Sequence, residues 1–390
     1  MTMVIRFSTD AELLQYLQVI KDKGNHEKVM EMCGMDERDK DYNGTTLMLA
    51  LKLGKSTEIL LKLIEIGGQE LVVMLDQTYG RTSLHYAFKN QNVSPEVLSR
   101  LIEVGGQKLI MVKDKDGTTA LHDACWNRNA TIDIFSKLIE AGKLKLVKQK
   151  NEYAGRTALH YACWNENVSP DIVSKLIGVG GPKLVKLKDD SGKTALHYAC
   201  KYGYVSMDIV SKLLEVGGKK LLMTKDKDGT ALHDACMNPN ISIDIITKLI
   251  DMGGSKLVMT NNEYGKTALH YVCKNRNVSI DIVSKFIEVG RPEQVMVKDQ
   301  TFGKTALHYA CENENISIDI VSKLIEVGGP ELVMIKDQIY GRTALHYAFK
   351  YQNADAMGIV SKLIEMGGPE LVMLKDQRFG RTALYYAFVS

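Results

Sequence analysis

Pairs of histidine and cysteine, three residues apart, are the feature of this sequence whose residue types and spacing could support chemistry. One pair, His160 and Cys163, lies in the stretch TALHYACWN at residues 157–165. Residues three apart share one face of a helix, so each pair could offer two ligands to a metal ion. The same spacing recurs at His122/Cys125, His197/Cys200, His233/Cys236, His270/Cys273 and His308/Cys311.

A metal site built from these pairs would need ligands from two neighbouring helices. A structural zinc ion takes four ligands at roughly 2.0–2.3 Å, whereas packed helices lie roughly 8–10 Å apart. Disulfides between stacked cysteines meet the same obstacle, because their Cα atoms must approach within about 7 Å. Phenylalanine can replace a packing residue but not a ligand, and it takes the cysteine position at Phe88, Phe349 and Phe388. We therefore expect no metal ion and no other cofactor.

The histidines offer no catalytic arrangement either. Asp123 and Asp234 directly follow His122 and His233, but adjacent residues face different directions on a helix. No serine or cysteine nucleophile with a supporting base is placed beside them. We expect the chain to have no catalytic residue.

The histidines belong to a phrase, T-A-L-H-Y-A-C, that returns in ten close variants along the chain. Its histidines are spaced by 36 to 38 residues: His85, His122, His160, His197, His233, His270, His308 and His346. Met48 and Tyr385 stand at the histidine position of the first and last copies. A supersecondary unit copied at nearly fixed spacing predicts a solenoid, in which each unit packs against its neighbours.

Each unit is predicted to contain two helices, a polar loop between them and a finger-like turn. In one unit the first helix begins near Thr157. The second begins in SPDIVSKLI at residues 169–177, where Ser169 can cap free backbone N–H groups and Pro170 suits the first helical position. Gly180 and Gly181 can adopt the left-handed conformation that ends a helix. A short apolar stretch and the finger turn follow.

The sequence G-x-T-A-L-H-x-A, a short loop, I-V-x-x-L-I-x-x-G-G and a D-x-x-G turn together resemble the ankyrin repeat. The resemblance covers residues 42–390 and implies an all-α ankyrin-repeat solenoid, with about nine full repeats and an incomplete last one. These repeats mostly run 37 or 38 residues. Ankyrin repeats normally run about 33, so about two extra residues fall between the helices and two more in the finger. The family binds other proteins, usually without catalysis.

The same resemblance implies a structural role for the threonine and histidine of the repeated phrase. In the family, these two residues tie the start of the first helix to the backbone of the adjoining finger. Thr157 and His160 are the matching residues of one repeat, and the other histidines named above hold the same position. We expect these histidines to be buried and hydrogen-bonded.

Positions that vary between the copies are free to serve a partner. By resemblance, the residue four after the histidine faces the concave surface through which ankyrin proteins hold their partners. This column contains Lys89, Trp126, Trp164, Lys201, Met237, Lys274, Glu312 and Lys350. Tryptophan is a favoured interface anchor, so Trp126 and Trp164, with Met237 farther along, predict an apolar patch. The alternative is that both indole rings pack against the next loop.

The finger loops supply a second candidate surface. In five fingers an aromatic residue precedes G-[K/R]-T, so that a cation follows it two residues later. The pairs are Tyr79/Arg81, Tyr264/Lys266, Phe302/Lys304, Tyr340/Arg342 and Phe379/Arg381. Aromatic rings and cations at loop tips could contact an acidic partner. The alternative is that the rings pack from finger to finger and the cations only solvate the edge.

Both ends of the chain depart from the repeat. Residues 1–41 are predicted to form an N-terminal helical capping segment, because a terminal repeat needs one side covered. The chain stops at Ser390, just after the first helix of a repeat begins. We expect either that another molecule shields this end or that the sequence is a shortened form. Self-association through Leu384–Phe388 is therefore the alternative to a scaffold for other proteins.

The overall composition narrows the class of partner. A formal net charge of +3 lacks the concentrated basic excess of most proteins that bind nucleic acid or membrane surfaces. The sequence has no apolar run of about 18 residues and no signal peptide at its start. Seven cysteines are too few and too regularly placed for a disulfide framework. We expect an intracellular protein, cytoplasmic or nuclear, with other proteins as partners, no membrane contact and no preference for nucleic acid.

Overall fold

A computed structural model of the chain describes residues 45–202, 206–351 and 355–388. The predicted capping segment at residues 1–41 lies outside these ranges. The contacts divide the chain into two compact units, Met1–Asp190 and Ser191–Ser390. In the described ranges both units are built from helices, without strands, and a short and a long helix alternate along the chain.

Within its described residues, 45–190, the first unit contains four short helices and four long helices. The short helices are Thr46–Leu53, Ser83–Lys89, Ala120–Ala124 and Ala158–Trp164. The long helices are Thr57–Val73, Pro95–Ile110, Ile132–Val147 and Pro170–Val185. Short helices pack against neighbouring short helices, and long helices against neighbouring long helices. This is the layered stacking of a helical solenoid.

The second unit repeats the same stacking. Its short helices are Ala195–Lys201, Ala231–Met237, Ala268–Lys274, Ala306–Glu312, Ala344–Tyr351 and Ala383–Ala387. Its long helices are Met207–Leu222, Ile243–Val258, Ile280–Val289, Ile318–Met334 and Ala356–Met373, and a 3₁₀ helix spans Pro292–Met296. The structure thus confirms the predicted all-α repeat architecture.

Local sequence signals explain where the helices begin. The Ser169 hydroxyl accepts the backbone N–H of Asp171 at 3.2 Å, and the long helix starts at Pro170 as predicted. Apolar side chains between the two helical layers are almost fully buried, and Leu159 and Leu176 are both 0% exposed. Burying a leucine contributes about 1.5–3 kcal/mol, so this interior supplies most of the driving force for stacking.

The long helices bend sharply at their glycine pair. Gly181 has φ 62° and ψ −164°, after which the chain forms a further helical turn that buries Leu184 and Val185. A Cβ atom at Gly180 would lie 2.2 Å from Leu184 Cδ2, so the first glycine of the pair is needed as well. The sequence analysis placed the end of the helix here. Instead the backbone changes direction and continues, because this ψ lies far from the left-handed value of about +47° that caps a helix.

Two repeats lack the second glycine of the pair, and the residues that replace it have different backbone angles. Lys143 keeps the bend with φ 51° and ψ −155°, and it has the one positive φ of a non-glycine residue in the described chain. Arg291 instead adopts extended angles, φ −110° and ψ 155°, and a 3₁₀ helix follows. A side chain in the region that Lys143 occupies costs on the order of 1–3 kcal/mol.

Candidate functional site

The repeated threonine and histidine form a buried cap at the start of eight of the ten described short helices. Thr157 donates its backbone N–H to His160 Nδ1 at 3.1 Å, and its hydroxyl oxygen lies 2.8 Å from the same nitrogen. Because Nδ1 accepts a hydrogen bond, the ring proton lies on Nε2. The same contact joins Thr82 to His85, Thr119 to His122, Thr194 to His197, Thr230 to His233, Thr267 to His270, Thr305 to His308 and Thr343 to His346.

The other ring nitrogen reaches the next repeat. His308 Nε2 donates to the Arg342 carbonyl oxygen at 3.2 Å, and His85 Nε2 donates to the Thr118 carbonyl oxygen at 3.1 Å. Burial lowers the pKa of His122, His233, His270 and His308 to about 4, so these rings are neutral. Both nitrogen atoms of His308 are thus occupied by protein groups, which leaves neither for a metal or a substrate.

The cysteines of the repeated phrase are packing residues in this structure. Cys273 and Cys311 are 0% and 1% exposed, and burial raises the pKa of the Cys273 thiol to about 12. A thiol with a raised pKa is a poor nucleophile and a poor metal ligand. Across the described ranges, no group of three histidine, cysteine or carboxylate side chains is arranged to hold a metal ion.

An asparagine after the short helix forms a second link between repeats, which the sequence analysis did not identify. Asn127 Nδ2 donates to the Phe88 carbonyl oxygen at 2.8 Å, in the preceding repeat. Its Oδ1 accepts the backbone N–H of Asn129 at 2.8 Å and so fixes its own loop. Asn90, Asn165, Asn238, Asn275 and Asn313 make the same backward contact. The recurring N-x-N after the short helix was the available signal.

An aspartate holds each of several finger turns. Asp299 accepts the backbone N–H groups of Phe302 at 2.7 Å and Lys304 at 3.1 Å. It also accepts the Tyr309 hydroxyl at 3.1 Å. The Tyr309 phenol thereby ties the short helix to the finger of its own repeat.

Trp126 and Trp164 lie against each other at the ends of adjacent short helices. Their ring centres are 5.4 Å apart with an edge-to-face angle of 71°. Tyr161 stacks on Trp164, and Arg156 lies 4.9 Å above the Trp164 ring. Trp126 is 40% exposed, and Trp164 is half-buried. The structure therefore brings together the two predicted anchors in one partly exposed aromatic cluster, the tryptophan patch (Trp126, Tyr161 and Trp164).

The remaining residues of the same column differ in their surroundings. Lys89 Nζ donates to Asp123 at 2.9 Å, and Lys201 Nζ lies 3.3 Å from Asp228. Lys274 is exposed and Met237 is half-buried. Two further members have neighbours within their own repeat: Glu312 accepts from Lys304, and Lys350 Nζ lies 4.9 Å from the Tyr351 ring centre. The column is thus a mixture of paired and available groups.

The finger cations turn toward the protein. Arg81 Cζ lies 4.6 Å from the Tyr79 ring centre, and its Nε lies 3.2 Å from Asp114 of the next finger. Arg342 is 6% exposed, with its Cζ 4.8 Å from the Tyr340 ring centre. The rings themselves are more accessible than the cations, since Tyr79, Tyr264 and Phe302 are 50%, 44% and 40% exposed.

Two repeats carry a buried aspartate where most repeats have the tyrosine after the histidine. Asp123 and Asp234 are 8% and 1% exposed. Each faces cations of the preceding repeat: Asp123 accepts from Lys89, while Asp234 has Lys193 at 4.0 Å and Lys201 at 3.8 Å. A buried carboxylate is stable only when opposite charge lies nearby. The sequence analysis considered these aspartates only as catalytic candidates.

Comparison with known families identifies the repeat. A family model described as ankyrin repeats (3 copies) matches four overlapping segments, residues 47–148, 94–180, 165–258 and 242–334. No curated protein matches the chain. Among the helices that the structure describes, none has the length and apolar character needed to span a lipid bilayer.

Proposed function

Because the chain belongs to the ankyrin-repeat family, we propose that it is a non-catalytic scaffold that binds partner proteins through its short-helix ends and finger loops. The contact between Trp126 and Trp164 carries this proposal. Two indole rings at variable positions of adjacent repeats form a partly exposed cluster, whereas the repeated positions around them are buried.

The tryptophan patch has the properties of an interface anchor. Tryptophan dominates the binding energy of many protein interfaces, and an edge-to-face ring pair adds about 0.5–1.5 kcal/mol of mutual stabilisation. Rings that are already held in place lose little conformational entropy when a partner binds. Arg156 above the Trp164 ring and Lys89 on Asp123 supply polar groups near the apolar centre.

Affinity capture from a cell extract tests the proposal. The wild-type chain is compared with a Trp126→Ala/Trp164→Ala variant whose thermal stability is unchanged. A matched control replaces Ile132 and Leu144 of a long helix with alanine, since these residues are 38% and 43% exposed in the same unit. We expect a partner that the control retains and the tryptophan variant loses. Equal capture by all three proteins would refute a role for the tryptophan patch.

A second candidate function is self-association through the last described short helix. Leu384 is 47% exposed, Tyr385 is 39% exposed and Phe388 is 83% exposed, which leaves an apolar surface on one helix. Static light scattering over a range of concentrations distinguishes this candidate from a monomeric scaffold. A mass that rises with concentration, and that returns to the monomer in a Leu384→Ser/Phe388→Ser variant, supports self-association.

A further inference from the structure

In two places, a pair of cations in one repeat lies beside carboxylates of the following repeat. The cation pair consists of the finger cation, four residues before the histidine, and a lysine four residues after it. In the first unit, Arg81 and Lys89 contact Asp114 and Asp123. Both cations are thus matched by carboxylates of the next repeat.

The second unit contains the same arrangement. Lys193 Nζ bonds to Asp226 and lies 4.0 Å from Asp234, and Lys201 Nζ lies 3.8 Å from Asp234. Both lysines therefore lie beside the position that follows the next histidine. Lys89 in the first unit, and Lys193 and Lys201 in the second, thus lie beside a carboxylate at that position.

A third cation pair, Lys266 and Lys274, faces a repeat that has tyrosine at this position. Lys266 Nζ lies 4.9 Å from the ring centre of Tyr309, which stands at the sequence position of Asp123 and Asp234 in their repeats. Throughout the described ranges, no carboxylate lies within ion-pairing distance of either amine. Asp299 and Glu312 act on Lys266 from farther away.

Those two carboxylates are already engaged elsewhere. Asp299 accepts from the Phe302 and Lys304 backbone and from the Tyr309 hydroxyl, and Glu312 accepts from Lys304 Nζ. Burial lowers the pKa of Lys266, and the charges of Lys274 and Lys304 lower it further. The amine therefore lies in a half-buried setting that an additional carboxylate would stabilise.

The fourth cation pair is Arg342 and Lys350, and the repeat that follows it also has a tyrosine, Tyr386. Here the cation does have polar partners. Arg342 Nη2 donates to the Tyr386 hydroxyl at 2.6 Å, and its Nε lies 3.7 Å from Asp376. Lys350 Nζ lies 3.4 Å from the Tyr351 hydroxyl oxygen. The guanidinium of Arg342 can reach both groups, whereas the Lys266 ammonium contacts only the faces of the Tyr271, Phe302 and Tyr309 rings among the described residues.

We propose that Lys266 and Lys274 form a docking site for an aspartate or glutamate side chain of a partner protein. The inference rests on the proposed scaffold function and names the chemistry of one contact. The partner carboxylate supplies, from outside the chain, the negative charge that Asp123 and Asp234 supply in the other two arrangements. Tyr264 and Phe302, which are 44% and 40% exposed, flank the site and give the partner an apolar surface beside its acidic group.

The first test uses a fluorescein-labelled peptide of four Glu-Tyr units and follows its fluorescence anisotropy on adding the full-length chain. Two charge-assisted contacts are lost in a Lys266→Met/Lys274→Met variant, so we expect its Kd to rise by about tenfold. A Lys248→Met/Lys256→Met variant removes the same charge at the same eight-residue spacing from a long helix, and its Kd should change by less than about twofold. Equal weakening in both variants, or equal binding of a Gln-Tyr peptide, overturns the proposal.

A second variant fills the site from within the chain. Tyr309→Asp places a carboxylate where Asp234 lies in its own repeat, and we expect it to reduce peptide binding as far as the double lysine variant does. Adding Lys266→Met to Tyr309→Asp should then lower the melting temperature, because the new carboxylate loses its cation. Unchanged peptide binding by a folded Tyr309→Asp protein contradicts the proposal.

The scaffold function and the acidic docking site can be refuted independently of each other. If the Trp126→Ala/Trp164→Ala variant loses a captured partner while the Lys266→Met/Lys274→Met variant retains both the partner and the peptide, the scaffold function stands and the acidic docking site is wrong. If both variants retain every captured partner, the proposed function itself is wrong on this surface.

Discussion

Lys193 holds its ammonium nitrogen 4.0 Å from a carboxylate oxygen of Asp234, across the boundary between two repeats. Asp234 is 1% exposed, and neither of its oxygens has a hydrogen-bond partner among the described residues. Burial raises the pKa of Asp234 to about 7, although Lys193 and Lys201 act in the opposite direction. Lys193 is shared with Asp226 and Asp228, so the cluster has three carboxylates for two ammonium groups.

Replacing Asp234 with asparagine is predicted to change how stability depends on pH. The folded pKa lies above the unfolded value of about 3.9, so the wild type loses stability as pH rises from about 4 to 7. The free energy of unfolding of Asp234→Asn, relative to wild type, should therefore increase between pH 5 and pH 8, by about 2–4 kcal/mol. Urea unfolding followed by circular dichroism at each pH measures this difference. A difference that stays constant over the range contradicts the prediction.

The buried histidines are predicted to make the folded chain less stable as pH falls. We expect them to account for most of its acid unfolding. The folded pKa of His308 is about 4, below the unfolded value of about 6.5, so its stabilisation is complete above pH 6.5 and is lost as pH falls toward 4. His122, His233 and His270 share this shift. We expect the urea midpoint to fall steeply between pH 6.5 and 4. His308→Gln should have a lower urea midpoint at pH 7, and its midpoint should fall less steeply between pH 6.5 and 4. If the midpoint of this variant depends on pH as the wild type does, His308 does not contribute to acid unfolding.

Lys143→Gly is predicted to stabilise the chain. Lys143 has φ 51° and ψ −155°, angles that glycine adopts in the equivalent position of most repeats. Relief of this strain should raise the free energy of unfolding by about 1 kcal/mol, after allowing for the greater freedom of glycine in the unfolded chain. Arg291→Gly is the matched control, because Arg291 already has extended angles. That control should lose about 0.5–1 kcal/mol, and equal shifts in the two melting temperatures would contradict the strain argument.

Gln294→Leu is also predicted to stabilise the chain. Gln294 is 0% exposed and takes the place of a leucine that other repeats bury, such as Leu257 and Leu332. Its Oε1 has no hydrogen-bond partner in the described residues. Its Nε2 donates to the Val258 carbonyl oxygen at 3.4 Å, which is long for a hydrogen bond. Removing an unsatisfied buried carbonyl should add about 1–2 kcal/mol to the free energy of unfolding.

The reverse exchange provides the control for that prediction. Leu332→Gln buries an amide among apolar side chains and should lower the free energy of unfolding by about 2–4 kcal/mol. Both variants are compared by urea unfolding under the same conditions. If Gln294→Leu is no more stable than wild type, the buried amide does not lower stability and the prediction is wrong.

The helix pairs were predictable from the sequence because their signals are local and repeated. Ser169 and Pro170 mark the start of a long helix within one short segment, and the structure begins the helix at Pro170. The bend at Gly181 was only half predictable. A glycine pair indicates that φ can be positive, but it does not indicate ψ, which here directs the chain into a further turn that buries Leu184 and Val185.

The surroundings of the candidate binding residues were not predictable from the sequence. Arg81 and Arg342 were expected at loop tips, but their nearest carboxylates, Asp114 and Asp376, belong to the next finger, more than thirty residues along the chain. Whether a cation points outward thus depends on the identity of a residue in another repeat. The sequence did indicate that Trp126 and Trp164 belong together, because adjacent repeats place the same column side by side.

The buried aspartates have a consequence for how repeats can be exchanged within this gene. A repeat that contains Asp234 depends on Lys193 and Lys201 of the repeat before it, so duplication or deletion of that repeat alone would strand buried charges of one sign. The repeated phrase itself is nearly the same in successive copies and does not distinguish one neighbour from another. The lysines beside Asp123 and Asp234 therefore distinguish the correct neighbouring repeat from the other copies at two places in the described chain.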